Sequence, residues 1–214
     1  MNTDCCGVIL AGGLARRMNG QAKHQLTLAG KTLLDHVIER AAPQVDQLLI
    51  NVNPPVTEEI DLLSRQLPLI EDRLSGHLGP LAGIHAALEW MHSNSSHRWL
   101  ASFAVDSPLF PMDLVTRLLC RTQDSEDSSS KQLICPTYAG HKQPTFCLWH
   151  IDQREPLRRW LVEEKNYRMG AWLKQQKARL CDFSQEIQSL GEVDPFTNIN
   201  TPEQLEQLEH QLNA

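Results

Sequence analysis

No apolar run in the chain approaches the roughly 20 residues that a membrane-spanning helix needs. The first such stretch, Val8-Ile9-Leu10, is too short for a secretory signal and leads straight into glycines. The expected compartment is the cytoplasm, with no membrane partner. Positive charge is not in excess either: 20 Lys and Arg against 26 Asp and Glu leave a net charge of −6, which argues against a nucleic-acid surface. The six cysteines, Cys5, Cys6, Cys120, Cys135, Cys147 and Cys181, form no C-x-x-C pair and are too sparse for a disulfide framework. They read as reduced thiols, several on apolar strands. The nine histidines lack metal-ligand spacing. His85 and His92 fall on one expected helix without a carboxylate partner and read as structural or surface residues. Both familiar phosphate motifs, G-x-x-x-x-G-K-[ST] and G-x-G-x-x-G, are missing near the N-terminal glycines.

What is present starts with size. A chain of 214 residues, 41% hydrophobic, can bury one sizeable core and is expected to form a single domain over residues 1–214. Its most informative stretch is Gly7 to Lys23, G-V-I-L-A-G-G-L-A-R-R-M-N-G-Q-A-K. An apolar strand empties there into a loop of glycines followed by Arg16, Arg17 and Lys23. Glycines let backbone N–H groups approach an anion, and the cations add charge that phosphate oxygens can use. The plainer alternative is a turn followed by solvated arginines.

Further along, Leu33, Leu34, Val37, Ile38 and Ala41 recur at helical spacing up to Pro43, and Leu48 to Asn53 reads as a strand closed by Pro54-Pro55. Leu62, Leu63 and Leu67 suggest a second helix, and Leu69-Ile70 a strand ending at Glu71-Asp72. Such alternation predicts right-handed crossovers in a parallel sheet, whose ligands bind at the carboxyl ends of the strands. Gly12 and Gly13, Asn51, Asp72 and Asp106 each fall where an expected strand runs out, so they should converge on one edge. Gly79-Pro80 opens a helix through Ala87 and Trp90, which is also an ordinary helix start. Asp106, after Trp99 to Val105, is either a turn residue or a magnesium ligand of the kind nucleoside triphosphates require.

The C-terminal half gives a helix over 111–120, a polar loop at 124–130, and strands at 133–135 and 145–149 around a turn near Gly140. Helices follow through Leu157 to Leu161 and Met169 to Leu173. Trp160 and Trp172 at helical spacing read as core residues rather than a ligand-stacking face. Phe196 to Asn200 is expected as a short strand that puts Asn198 and Asn200 on the same side. Thr201, Pro202 and Gln204 make a capping box for a final helix carrying Leu205, Leu208 and Leu212.

Leu10-Ala11-Gly12-Gly13, with Arg16-Arg17-Met18 and Lys23, resembles the loop L-A-G-G-x-x-x-R-M-G-G-x-D-K of nucleotidyltransferases, most closely the molybdenum cofactor guanylyltransferase family. The resemblance continues through G-P-L-A-G at 79–83, Asp106, Pro144-Thr145 and the ending N-I-N-T-P at 198–202. Two positions depart from it: Asn19 replaces a glycine, and Ala22 replaces the aspartate before the lysine. The resemblance implies a three-layer, Rossmann-like α/β fold of the nucleotide-diphospho-sugar transferase type, a mostly parallel sheet with helices on both faces. It also implies transfer of GMP from GTP to molybdenum-molybdopterin with release of pyrophosphate. By the same resemblance Leu10, Ala11, Gly12, Gly13, Arg17, Lys23, Asn51, Asp72, Gly79 and Asp106 would bind GTP. Arg17, Lys23 and Asp106 would be catalytic, Asp106 would hold Mg2+, and Pro144, Asn198 and Asn200 would flank the molybdopterin. A monomer with passing contacts to molybdenum-insertion proteins or molybdoenzyme chaperones is implied. A related cytidylyl- or sugar-phosphate nucleotidyltransferase, or a delivery module weakened by Ala22, are the alternatives.

Overall fold

The computed structural model describes residues 3–12, 23–52, 67–74, 78–123, 132–185 and 194–212. Gly13, Arg16, Arg17, Ala22, most of the expected helix before Leu67 and the polar loop at 124–130 lie outside the described residues.

The frame is an eight-stranded sheet. Its first strand, β1 (Cys5–Leu10), is apolar along its length because both its faces are covered. A small ribbon, β2 (Thr27–Leu28) and β3 (Lys31–Thr32), leads into α1 (Leu33–Ala41). Thr32 Oγ1 accepts from the Asp35 N–H at 3.0 Å and Asp35 Oδ2 accepts from the Thr32 N–H at 3.2 Å, a reciprocal cap that fixes where the helix starts. Next come β4 (Gln47–Val52), β5 (Leu69–Glu71), α2 (Pro80–Asn94) and β6 (Trp99–Ala104). The remaining elements are α3 (Leu114–Cys120), β7 (Leu133–Tyr138), β8 (His141–Lys142), β9 (Leu148–His150), α4 (Arg154–Val162), α5 (Met169–Gln175), β10 (Arg179–Asp182) and α6 (Pro202–Leu212).

Strand order is β10-β7-β9-β6-β1-β4-β5, with β8 paired to β7. β1 is parallel to β4 and β6, and β4 to β5, while β9 runs antiparallel between β6 and β7. The sheet divides the core in two. Ile9, Ile50 and Phe103 pack with Leu34 and Val37 of α1 and Leu114 and Leu118 of α3. Val8, Leu49 and Leu100 pack with Ile84 and Leu88 of α2, Leu157 and Trp160 of α4 and Trp172 of α5. The alternation of successive strand residues between the two sets is the period of two that a strand imposes. Trp160 and Trp172 are buried against each other with ring centroids 5.4 Å apart, as core residues.

Four local expectations need correction. The strand expected over 145–149 starts only at Leu148, because Pro144 opens a 3-10 turn over Pro144–Phe146 closed by the Phe146 N–H on the Gln143 carbonyl. The strand expected at 133–135 continues through Tyr138. The helix expected from Pro111 begins at Leu114. Residues 197–200 join no sheet; the Ile199 N–H instead donates to the Asp106 carbonyl at 2.7 Å.

Candidate active site

The carboxyl ends of β1, β4, β5 and β6 open on one cleft. Leu10, Gly12, Lys23, Asn51, Asp72, Gly79, Pro80, Ala104, Val105, Asp106 and Thr145 line it. The polar strand endings expected from sequence therefore meet on one edge, apart from Gly13, which is outside the described residues. Ala11 belongs to the core, and its N–H donates to the Asn51 carbonyl at 2.9 Å, which ties the start of the first loop to β4.

One wall carries charge. Lys23, which opens a 3-10 turn over Lys23–Gln25, places Nζ 2.6 Å from Asp106 Oδ2 and 2.6 Å from Asn200 Oδ1. These partners stand 83 and 177 residues away in sequence. The ion pair is partly covered, with 17% and 22% of the two side chains exposed. A cation held between a carboxylate and an amide carbonyl is stabilised by both, at side-chain distances typical of charge-assisted bonds.

Residues 197–200 are pinned to the loop after β6. Besides the backbone bond from Ile199, the Ser107 hydroxyl donates to Asn198 Oδ1 at 2.7 Å. Asn200 and Thr201 N–H groups both donate to Gln204 Oε1, at 2.7 and 3.2 Å, while Thr201 Oγ1 accepts from the Gln204 N–H at 3.3 Å. The capping box expected for α6 thus also sets the position of Asn200. Sequence reading assigned Ser107 no role, although it follows Asp106 directly; its partner lies 91 residues on, and no local pattern announces that. Pro144 is not among the cleft-lining residues, whereas its neighbour Thr145 is.

The opposite wall is neutral to acidic. Asn51, only 4% exposed, donates from Nδ2 to Asp72 Oδ1 at 2.9 Å and to the Ile70 carbonyl at 3.4 Å. Gly79 adopts φ 74° and ψ −166° at the start of α2, a conformation essentially restricted to glycine. It lets the chain turn into the helix while keeping that part of the cleft open.

The donors around Lys23 suit a hard cation. Asp106 and Asn200 offer one carboxylate and one amide oxygen, and Mg2+ usually takes one or two carboxylates with phosphate oxygens and waters. Among the described residues there is no cluster of three or more His, Cys, Asp and Glu suited to a metal. The fit is to an ion that shares its ligands with a phosphate. His85, expected without a carboxylate neighbour, has one: its Nε2 is 3.5 Å from Glu89 Oε1 on α2, on the buried side of the helix.

Comparison with known proteins identifies the architecture. The family model described as "MobA-like NTP transferase domain" matches residues 7–180. Molybdenum cofactor guanylyltransferase of Mesorhizobium japonicum is 36% identical over 97% of this chain and 95% of its own length. That of a Bradyrhizobium species is 37% identical over 95% and 91%. The crystal structure of molybdopterin-guanine dinucleotide biosynthesis protein A from Archaeoglobus fulgidus superimposes with a TM-score of 0.72 at 22% identity, covering 96% of this chain and 97% of that one. The 4-diphosphocytidyl-2C-methyl-D-erythritol synthase of Anaerococcus prevotii shares the fold at a TM-score of 0.73 and 9% identity, over 98% and 96%. With its mostly parallel sheet, the sequence Leu10-Ala11-Gly12-Gly13 at the end of β1 and a family match across most of its length, the chain belongs to the MobA-like NTP transferases.

Proposed function

We propose that this nucleotidyltransferase transfers GMP from GTP to molybdenum-carrying molybdopterin, forming the guanine dinucleotide and releasing pyrophosphate. The observation that carries the reading is the meeting of Lys23 with Asp106 across a cleft whose far wall is Asn51 and Asp72. A triphosphate lying between those walls has its base on the Asp72 side and its phosphates on the Lys23 side. The relatives' names, at more than a third identity over nearly the whole chain, supply the two substrates.

The chemistry asks for positioning more than for a side-chain nucleophile. The terminal phosphate oxygen of the pterin is already ionised; it forms a bond to the α-phosphorus as the bond to the β-phosphate oxygen breaks. Pyrophosphate then carries away the electron pair. Two anions must be brought together, so fixed N–H dipoles and cations around the phosphates account for most of the rate. Lys23 would leave Asp106 for the triphosphate, and the Gly12 backbone would support the same group. Asp106, with Asn200 beside it, would hold Mg2+. When bound, the ion supplies neutralisation of phosphate charge. Asn198, held by Ser107, and Asn200, held by Lys23, would flank the acceptor, as would the turn at Pro144.

Supporting the remaining parts of the reading, the described strands form one main sheet, which favours a single nucleotidyltransferase domain. Six free cysteines suit a reducing cytoplasm. Among the described residues no helix is long and apolar enough to cross a membrane. Pyrophosphate release measured with GTP, CTP and ATP in the presence of molybdopterin tests the assignment. Turnover with GTP alone is expected; preferential use of CTP would replace it with the cytidylyl reading.

A further inference from the structure

Gly83 lies one turn into α2, with Asn51 at the end of β4 directly against it. A Cβ built on it would stand 2.1 Å from Asn51 Oδ1, 2.7 Å from Asn51 Cγ and 3.1 Å from Leu10 Cδ2. The first two distances are below any real carbon contact, so the carboxamide of Asn51 occupies the room that a side chain at position 83 would need. That carboxamide is buried, and its Nδ2 is committed to Asp72 Oδ1 at 2.9 Å and the Ile70 carbonyl at 3.4 Å. Its rotation away from the helix would break the bond to Asp72.

We infer that Gly83 is a positioning residue for base selection: by having no side chain it lets Asn51 stand against α2 and aim the Asp72 carboxylate at the donor edge of guanine. The inference rests on the guanylyl reading above and adds the residue that sets its selectivity. Guanine offers N1–H and the 2-amino group as donors, and a carboxylate accepts from both; adenine presents an acceptor at N1 and cannot replace them. A carboxylate left free to turn loses that discrimination, because each charge-assisted bond needs its acceptor held in line. Gly83 touches no nucleotide in this arrangement and acts only through Asn51.

The test is calorimetric titration of GTP and of ATP, each with Mg2+, into wild type, Gly83→Ala, Asn51→Ala and the double variant. Wild type should prefer GTP. Gly83→Ala should cut the GTP-over-ATP preference about tenfold or more, the worth of one charge-assisted hydrogen bond. Asn51→Ala should do the same. The double variant should be no less selective than Asn51→Ala, since removing the carboxamide restores the space. Equal weakening of both nucleotides by Gly83→Ala would mean a packing role and overturn the inference, as would an unchanged preference. Should Gly83→Ala fail to fold, the double variant against Asn51→Ala decides: equal preference upholds the inference, and a further loss overturns it. A wild type without preference would remove the guanine reading itself, and this inference with it.

Discussion

Asp106 holds Lys23 with one carboxylate oxygen and clasps Ile199 with its backbone carbonyl. The two contacts can be separated by mutation. Asp106→Asn keeps the carbonyl and is expected to leave the circular-dichroism spectrum and melting curve near wild type, while Mg2+-dependent pyrophosphate release falls roughly a hundredfold or more. Wild-type rates would remove Asp106 from the metal role. The thiols give a second residue-scale expectation. Burial pushes the Cys6 thiol up to about 11, only partly offset by its bond with Ser95, and Cys120 is exposed. Iodoacetamide at about pH 8 should therefore modify Cys120 and spare Cys6 until denaturant is added, read by peptide mass spectrometry. At this scale the sequence was legible where polar residues end strands, as with Asn51, Asp72 and Asp106. Ser107 and Gly83 were not, because their partners Asn198 and Asn51 are brought to them only by tertiary structure.

Among the elements, α2 is the most heavily buried helix beside the cleft, and it carries a titratable group on its covered face. Burial holds the His85 imidazole below its ordinary value near 6.5, with Glu89 opposing in part. As pH falls below that ordinary value, the unfolded chain takes up the proton before the folded one does. Stability is then complete above the unfolded value and declines as pH drops toward the folded one. Urea midpoints at about pH 7.5 and about pH 5.5 should show this decline, and His85→Gln should flatten it. At α1, Thr32→Ala removes the acceptor for the Asp35 N–H and is expected to cost about 1 kcal/mol in the same titration. Helices were the easiest elements to read, since their apolar stripes and caps are local. The antiparallel β9 was harder: the apolar run Phe146-Cys147-Leu148-Trp149 reads as continuous strand, and only the constraint of Pro144 on its neighbours turns the first part into a 3-10 turn.

For the molecule as a whole, a chain of aromatic contacts runs through the core layer behind the loop after β6. Phe103 meets Phe110, Phe110 meets Phe146, and Phe146 meets Phe196, whose ring also contacts Tyr138 and Phe183. Phe196 is 2% exposed and anchors the segment that bears Asn198 and Asn200. Phe196→Ala should cost about 3–5 kcal/mol, measured by denaturation, and weaken the acceptor substrate more than GTP. The topology was readable from alternating strands and helices, and the convergence of strand ends followed from it. What could not be read was that residues 197–200 would bypass the sheet and press against the loop after β6, since an N-I-N stretch carries no mark of its backbone partner. That same ammonium grip between Lys23 and Asn200 has a temporal meaning during synthesis. Most of the sheet can assemble as the polypeptide emerges, but Lys23 gains its amide partner only once position 200 has left the ribosome. A ribosome-tethered chain should accordingly bind substrate more weakly until position 200 has cleared the exit tunnel.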